Sequence, residues 1–187
     1  MSTAPILFVP GSLRADSFTT KLLKAAAAFV PAGHPVEFAD LVRQLPFYDS
    51  DIEGENAPDA VKEVRARISA SAGVVVSTPE YNGGLPGGLK NLFDWATRPM
   101  GAHSLVGKPI AVIGASPGPR GATGAVESVT FVLGFLGAKV IADPVTVGEV
   151  IAHLGADGTP DEEVSARLAA LVGRLITEIE TPAAEPA

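Results

Sequence analysis

At 187 residues, 47% apolar and 19% charged, the chain has the make-up of one compact globular domain rather than a disordered segment. Its formal charge of −7 argues against broad nucleic-acid contact, which needs many Lys and Arg to neutralise phosphates. The lack of cysteine rules out a disulfide framework, a thiolate nucleophile and a thiolate metal site. The opening MSTAPILFVP has neither the basic segment nor the long apolar core of a signal peptide, and no apolar run reaches bilayer length. Both features point to the cytoplasm and away from the membrane.

Taken in order, Ala4 to Val9 is a continuous apolar run, as expected of a parallel strand buried on both faces. It breaks at Pro10-Gly11 and leads to a helix over about Ser17 to Val30, with Leu22, Leu23, Ala26, Phe29 and Val30 on its inner face. A strand that turns at a glycine into a helix leaves free N–H groups at the positive end of the helix dipole, a geometry that favours an anion. Hydroxyls at Ser12, Ser17, Thr19 and Thr20 and the guanidinium of Arg14 add donors. This stretch reads either as a phosphate pocket or as an ordinary turn capped by Ser17. Pro35 to Ala39 is a short second strand, and Asp40 to Ala57 is a loop too long for a tight turn, of a kind that carries function or stays mobile. Its Phe47 and Tyr48 either pack the loop down or line a ligand mouth.

A second helix spans about Pro58 to Ser71, with Val61, Val64 and Ile68 inward. Gly73 to Ser77 is a β-branched third strand that runs into TPEYNGGLPGGLKNLFDWATRP, a glycine-rich loop opening a helix near Pro86. Lys108 to Ala115 is a fourth strand followed by SPGPRGATG. The helix over about Ala122 to Leu136 is apolar beyond one face, since Phe131, Phe135 and Leu136 widen the stripe of Val126, Val129, Val132 and Leu133. Either a partner subunit or a long loop would cover it. Ala138 to Ala142 is a fifth strand, and the irregular run VTVGEVIAHLGADGTP is read as crossing the base of the sheet. A strongly periodic helix over about Asp161 to Glu180 closes a single domain of residues 1–180, with a flexible tail at 181–187.

Five strands alternating with five helices give a doubly wound, three-layer α/β/α fold with a five-stranded parallel sheet. A dinucleotide-binding order would want G-x-G-x-x-G after the first strand and an acid about twenty residues on, and GSLRADS has one glycine. The flavodoxin-like order 2-1-3-4-5 instead brings the loops after the first and third strands to one crevice, and these are the loops rich in glycine, hydroxyls and Arg14. No Gly-Lys-Ser or Gly-Lys-Thr marks a Walker A loop, and neither the first nor the third strand ends in the carboxylate of a phospho-accepting receiver.

GSLRADSFTTKLL is similar to the G-S-x-R-x-x-S phosphate segment of the NAD(P)H-dependent FMN reductases, which include quinone, azo-dye and chromate reductases. TPEYNGGLPGGLKNLFDW resembles their flavin-ring motif T-P-E-Y-N-x-x-x-P-G-x-L-K-N-x-x-D-W, and the likeness runs from about Pro5 to Ile179. It implies FMN as cofactor and NAD(P)H as co-substrate. Ser12, Arg14 and Ser17, with the backbone of Phe18 and Thr19, would hold the phosphate. Pro79, Glu80, Tyr81, Asn82 and Gly83 would lie along the isoalloxazine, and Ser116 would close the other side. The family often has Asn where this chain has Thr19 and Ser where it has Gly84. The implied reaction is ping-pong: hydride passes from the nicotinamide to flavin N5, then electrons pass to a quinone, azo dye, free flavin or oxyanion, with no catalytic side chain required. A homodimer or homotetramer is also implied. The rival reading is a flavodoxin-like electron carrier or flavin-binding sensor without NAD(P)H turnover.

Several residues carry two readings. Glu80 is either a catalytic acid or a carboxylate that pins backbone N–H groups. Tyr81 either meets the ring or fills the loop. Lys90 and Asn91 tie the loop down, and Asp94 and Trp95 pack or pair between elements. Arg120 either draws an anionic nicotinamide phosphate or acceptor, or is an exposed loop arginine. His34, His103 and His153 are scattered, which argues against a metal site.

Overall fold

The structure, a computed structural model, describes residues 4–181; residues 1–3 and, apart from Thr181, the expected tail lie outside the described residues. The elements run β1 (Ile6–Pro10), α1 (Phe18–Ala27), β2 (Val36–Phe38), α2 (Asp59–Ala70), β3 (Gly73–Thr78), α3 (Gly87–Ala96), β4 (Pro109–Ala115), α4 (Thr123–Phe135), β5 (Lys139–Val140), β6 (Val145–Val147) and α5 (Glu162–Glu180). Every strand pairing is parallel, in the order β2-β1-β3-β4-β5, with β6 also on β4. This is the flavodoxin-like order expected from the sequence.

The reason that β3 reads as unbroken valine is visible in the packing. Val75 joins Phe8 and Ile113 in the core beneath α1 and α5, while Val74 and Val76 face the core beneath α2, α3 and α4. A strand covered on both faces has no polar side to alternate with. Helix boundaries follow local chemistry. The Ser17 hydroxyl accepts from Thr20 N (3.3 Å) to begin α1, and the Asp161 carboxylate accepts from Val164 N (2.9 Å) to begin α5. Phe29, expected on the inner face of α1, lies beyond the end of that helix and is partly exposed.

Two expectations need correction. The fifth strand is two short pieces: β5 pairs with the start of β4, and β6 pairs with its end, Ile113 to Ala115. Asp143, at φ 53°, and Pro144 interrupt them. The segment read as an irregular run at the base of the sheet therefore begins as a strand at its carboxyl edge. The loop alternative for α4 also fails, because Phe131 and Phe135 are 74% and 82% exposed and no described segment covers them.

The long loop at 40–57 is packed, with two short 3-10 turns at Ser50–Ile52 and Gly54–Asn56. Tyr48 stands edge-on to the buried Trp95, with ring centroids 5.0 Å apart, whereas Phe47 is 87% exposed. Tyr48 thus packs the loop down, while Phe47 neither packs it nor lines the cavities described below.

Candidate functional site

Three loops leave the carboxyl ends of β1, β3 and β4 and meet over the sheet, as the switch point of this strand order requires. The first is held close to β3 by glycine. Gly11 N donates to Ser77 O at 2.7 Å, and a Cβ at Gly11 would lie 2.4 Å from that oxygen, so no other residue fits without moving the strand end. Ser12, Ser17 and Thr19 are buried beneath the loop, and Arg14 is exposed above it. Ser12 Oγ accepts from Arg14 N (3.3 Å), which leaves its proton to donate, and Ser17 and Thr19 share a hydrogen bond of 2.9 Å. The N–H groups of Phe18 and Thr19, the first two of α1, have no acceptor within the helix. Lys21 pairs with Asp16 and, with a smaller contribution from Arg14, holds its carboxyl below the usual range.

The second wall is a tight hairpin. Tyr81 and Gly84 exchange hydrogen bonds of 3.1 and 3.2 Å around Asn82 (φ 54°) and Gly83 (φ 79°), the paired left-handed residues of a type I′ turn. Glu80, on the cleft wall, is tied to α4: its Oε2 accepts from Ala125 N at 3.1 Å. That bond serves the start of α4, whose preceding residue Ala122 sits in the left-handed region and offers no side-chain cap. Of the two readings of Glu80, this geometry matches the carboxylate that pins backbone N–H groups.

The third wall is braced by β6 and the residues after it. Ser116 N donates to Val147 O (3.1 Å), Glu149 N to Gly118 O (3.0 Å) and Val150 N to Ser116 O (3.2 Å). Gly148 is pressed so close to Pro119 O that a Cβ would lie 2.3 Å away. The Ser116 hydroxyl bonds Gly118 O (3.1 Å) within its own loop.

One cleft brings most of the expected residues together. Ser12, Arg14, Ser17, Phe18 and Thr19 line one side, and Pro79, Glu80 and Tyr81 face Ser116 on the other. Asn82 and Gly83 form the hairpin tip and do not line it. Nor does Arg120, which is exposed in the third loop. Ala115 and Pro117 line the cleft without having been singled out, although SPGPRG named their loop. Beyond Arg14 and Tyr81, a second hollow of about 170 Å³ is walled mainly by Leu13, Val42, Pro86 and Gly87. A hollow of about 540 Å³ between α1 and residues 157–160 is larger, but it lies away from all three strand ends.

The residues 4–151 match the family described as NADPH-dependent FMN reductase. The chain belongs to this family. A quinone reductase of Pseudomonas putida is 39% identical over 131 residues, 70% of each chain. A 2-hydroxy-1,4-benzoquinone reductase of a Burkholderia species is 37% identical over 139 residues, 74% of this chain and 75% of that one. Among solved structures, the flavoenzyme NAD(P)H:acceptor oxidoreductase FerB of Paracoccus denitrificans superposes with a TM-score of 0.83 at 34% identity, covering 95% of this chain and 98% of its own. As an FMN reductase family member, the chain is an NAD(P)H-dependent flavin oxidoreductase in general character. No helix among the described residues is long and apolar enough to cross a membrane.

The donor set of the cleft suits FMN. A phosphate dianion needs N–H and O–H donors and a cation, and the first loop supplies all three, with its one acid already paired to Lys21. On the far side of the cleft, Pro79 to Tyr81 and Ala115 to Pro117 offer two short backbone stretches against which a ring would lie.

Proposed function

We propose that this cleft holds FMN, with its phosphate on Ser12, Arg14, Ser17 and the N–H groups of Phe18 and Thr19. The ring would lie against Pro79 to Tyr81, with the Asn82-Gly83 turn bracing that wall and Ser116 at its other side. The observation that carries the reading is the convergence of a donor-rich, cationic loop with the loops after β3 and β4 in one cleft at the switch point of the sheet. FMN held there would supply the redox chemistry that couples NAD(P)H oxidation to reduction of a second substrate in a ping-pong cycle.

The chain's own residues bind and orient. Arg14 and the start of α1 fix the phosphate end, and the type I′ hairpin holds the backbone of residues 79–84 rigid beside the ring. Glu80 stays on α4 rather than exchanging protons. With few fixed polar side chains over this part of the cleft, acceptor choice is loose, and the names of the relatives favour quinones over azo dyes, free flavins or oxyanions. The exposed face of α4 suits a homodimer or homotetramer, and a cysteine-free chain that draws on NAD(P)H suits the cytoplasm.

The test is to identify the chromophore of the purified protein and assay NADH and NADPH oxidation with an added quinone. Turnover with quinone supports the reductase. A fully flavin-loaded sample without turnover overturns it in favour of a flavodoxin-like carrier or flavin-binding sensor. Arg14→Ala is expected to weaken FMN by roughly 10- to 100-fold through loss of a charge-assisted contact, and unchanged affinity would refute the phosphate assignment.

A further inference from the structure

The long loop between β2 and α2 reaches the first strand-end loop through one side chain. Arg43 Nη2 donates to the carbonyl of Leu13, and Arg43 Nε is steadied by Asp40 Oδ2 at 3.4 Å. That carbonyl shares a peptide unit with the N–H of Arg14, which bonds Ser12 Oγ. The peptide is therefore held at both of its polar ends. Released, it could rotate to turn the Leu13 oxygen, a partial negative charge, toward an anion held by Arg14, and to turn the N–H away. The guanidinium of Arg43 also brings a positive charge into contact with the loop.

Arg43 is itself delivered by a segment fastened along α3. Leu41 and Val42 are buried in the core beneath α2, α3 and α4. Pro46 O accepts from Asn91 Nδ2 (2.8 Å) and Trp95 Nε1 (2.9 Å), and Tyr48 N donates to Asn91 Oδ1 (2.7 Å). Further along, Arg98 bonds Glu53 and the Tyr48 hydroxyl, closing the far end of the loop. Asn91 and Trp95, inside the TPEYN…KNLFDW stretch, thus fasten the loop that carries Arg43.

We propose that Arg43 is a positioning residue for the FMN phosphate, held in place by the Asn91 and Trp95 latch on residues 40–57. This rests on the phosphate reading of the first loop given above. Riboflavin, which has the same ring without the phosphate, separates positioning from general structural support. In equilibrium titrations of the whole protein, Arg43→Met is expected to weaken FMN by about 3- to 10-fold and leave riboflavin unchanged, because a half-exposed charged donor is screened by solvent. Arg43→Lys, which keeps the charge and one donor, is expected to fall between wild type and Arg43→Met. Arg43→Met that binds FMN like wild type, or that weakens FMN and riboflavin equally, overturns the proposal. Wild-type protein that binds both flavins equally refutes the phosphate reading itself, a separate result visible before any variant is made.

Discussion

Gly124→Ala sets two known effects against each other at a place where the structure says which one wins. Gly124 is the second residue of α4, and alanine in a helix is favoured over glycine by about 0.5–1 kcal/mol. The added Cβ, however, would lie 2.9 Å from Gly83 O and 3.1 Å from Glu80 Oε2. Gly83 O is backbone in a hairpin closed by two hydrogen bonds, so it can yield only if the whole turn lifts. Glu80 can yield only by giving up Ala125 N, which α4 has no other side chain to replace. Overpacking of this kind costs about 1–3 kcal/mol, and the strained capping bond about 1 more, so the sum is a net loss of about 1–3 kcal/mol. For a chain of this size each kcal/mol moves Tm by about 2–4 °C. Gly173→Ala in α5 is the matched control, since it is exposed with nothing within 4 Å of a new Cβ, and it is expected to gain about 0.5–1 kcal/mol. Thermal unfolding and FMN titration of both variants give the answer: Gly124→Ala should unfold earlier and bind FMN more weakly because the hairpin has shifted. If Gly124→Ala is stabilised like Gly173→Ala and keeps its FMN affinity, the hairpin does not rest on α4 as described.

Glu80→Gln keeps an oxygen for Ala125 N and is expected to retain stability and turnover, whereas Glu80→Ala should lose about 1–2 kcal/mol. Equal loss of turnover in both, measured with saturating FMN, would restore the catalytic-acid reading. If α4 forms the interface of the homo-oligomer proposed above, Phe131→Ser with Phe135→Ser should yield monomer in light scattering, and an oligomeric mass unchanged from wild type would place the interface elsewhere. The pH response of the long loop follows from Glu53, whose carboxyl is held below the ordinary glutamate range by hydrogen bonds from Tyr48 and Arg98. A carboxyl depressed in the folded state contributes stability above its unfolded pKa and loses it progressively as pH falls from there through the lower folded value, while the carboxyl itself stays ionised in the folded protein until that lower value. The fluorescence of Trp95, the sole tryptophan, should therefore hold steady through the ordinary glutamate range and change below it. A transition centred within that range would contradict the clamp.

The sheet was legible where burial on both faces left an unmistakable apolar run, as at Ile6 to Val9 and Gly73 to Val76, and where a cap marked a helix, as at Ser17 and Asp161. The edge opposite β2 was not. Lys139 to Val140 and Val145 to Val147 are too short to show any period, and each pairs with a different end of β4 across the break at Asp143 and Pro144. Reading a strand only at 138–142 left VTV in an irregular run placed at the base of the sheet. Its actual position at the carboxyl edge is what lets the following residues brace the loop that carries Ser116.

Within the site, legibility fell with sequence separation. Ser12, Arg14 and Ser17 advertise their chemistry in one short stretch, and Asn82-Gly83 announces its own turn. Nothing local tells that Glu80 will find Ala125, 45 residues on, or that Arg43 will find Leu13, 30 residues back. The same limit changes how the long motif is to be understood. Pro79, Glu80 and Tyr81 line the cleft, but Asn91 and Trp95, inside the same stretch, bond Pro46. A side chain that does not line the cleft can still be tied to it when a fastened loop carries its constraint back, here through Arg43 to the peptide beside Arg14. On this reading the length of the motif measures how much of the molecule is needed to hold two loops in register over one sheet, rather than how many residues touch the flavin.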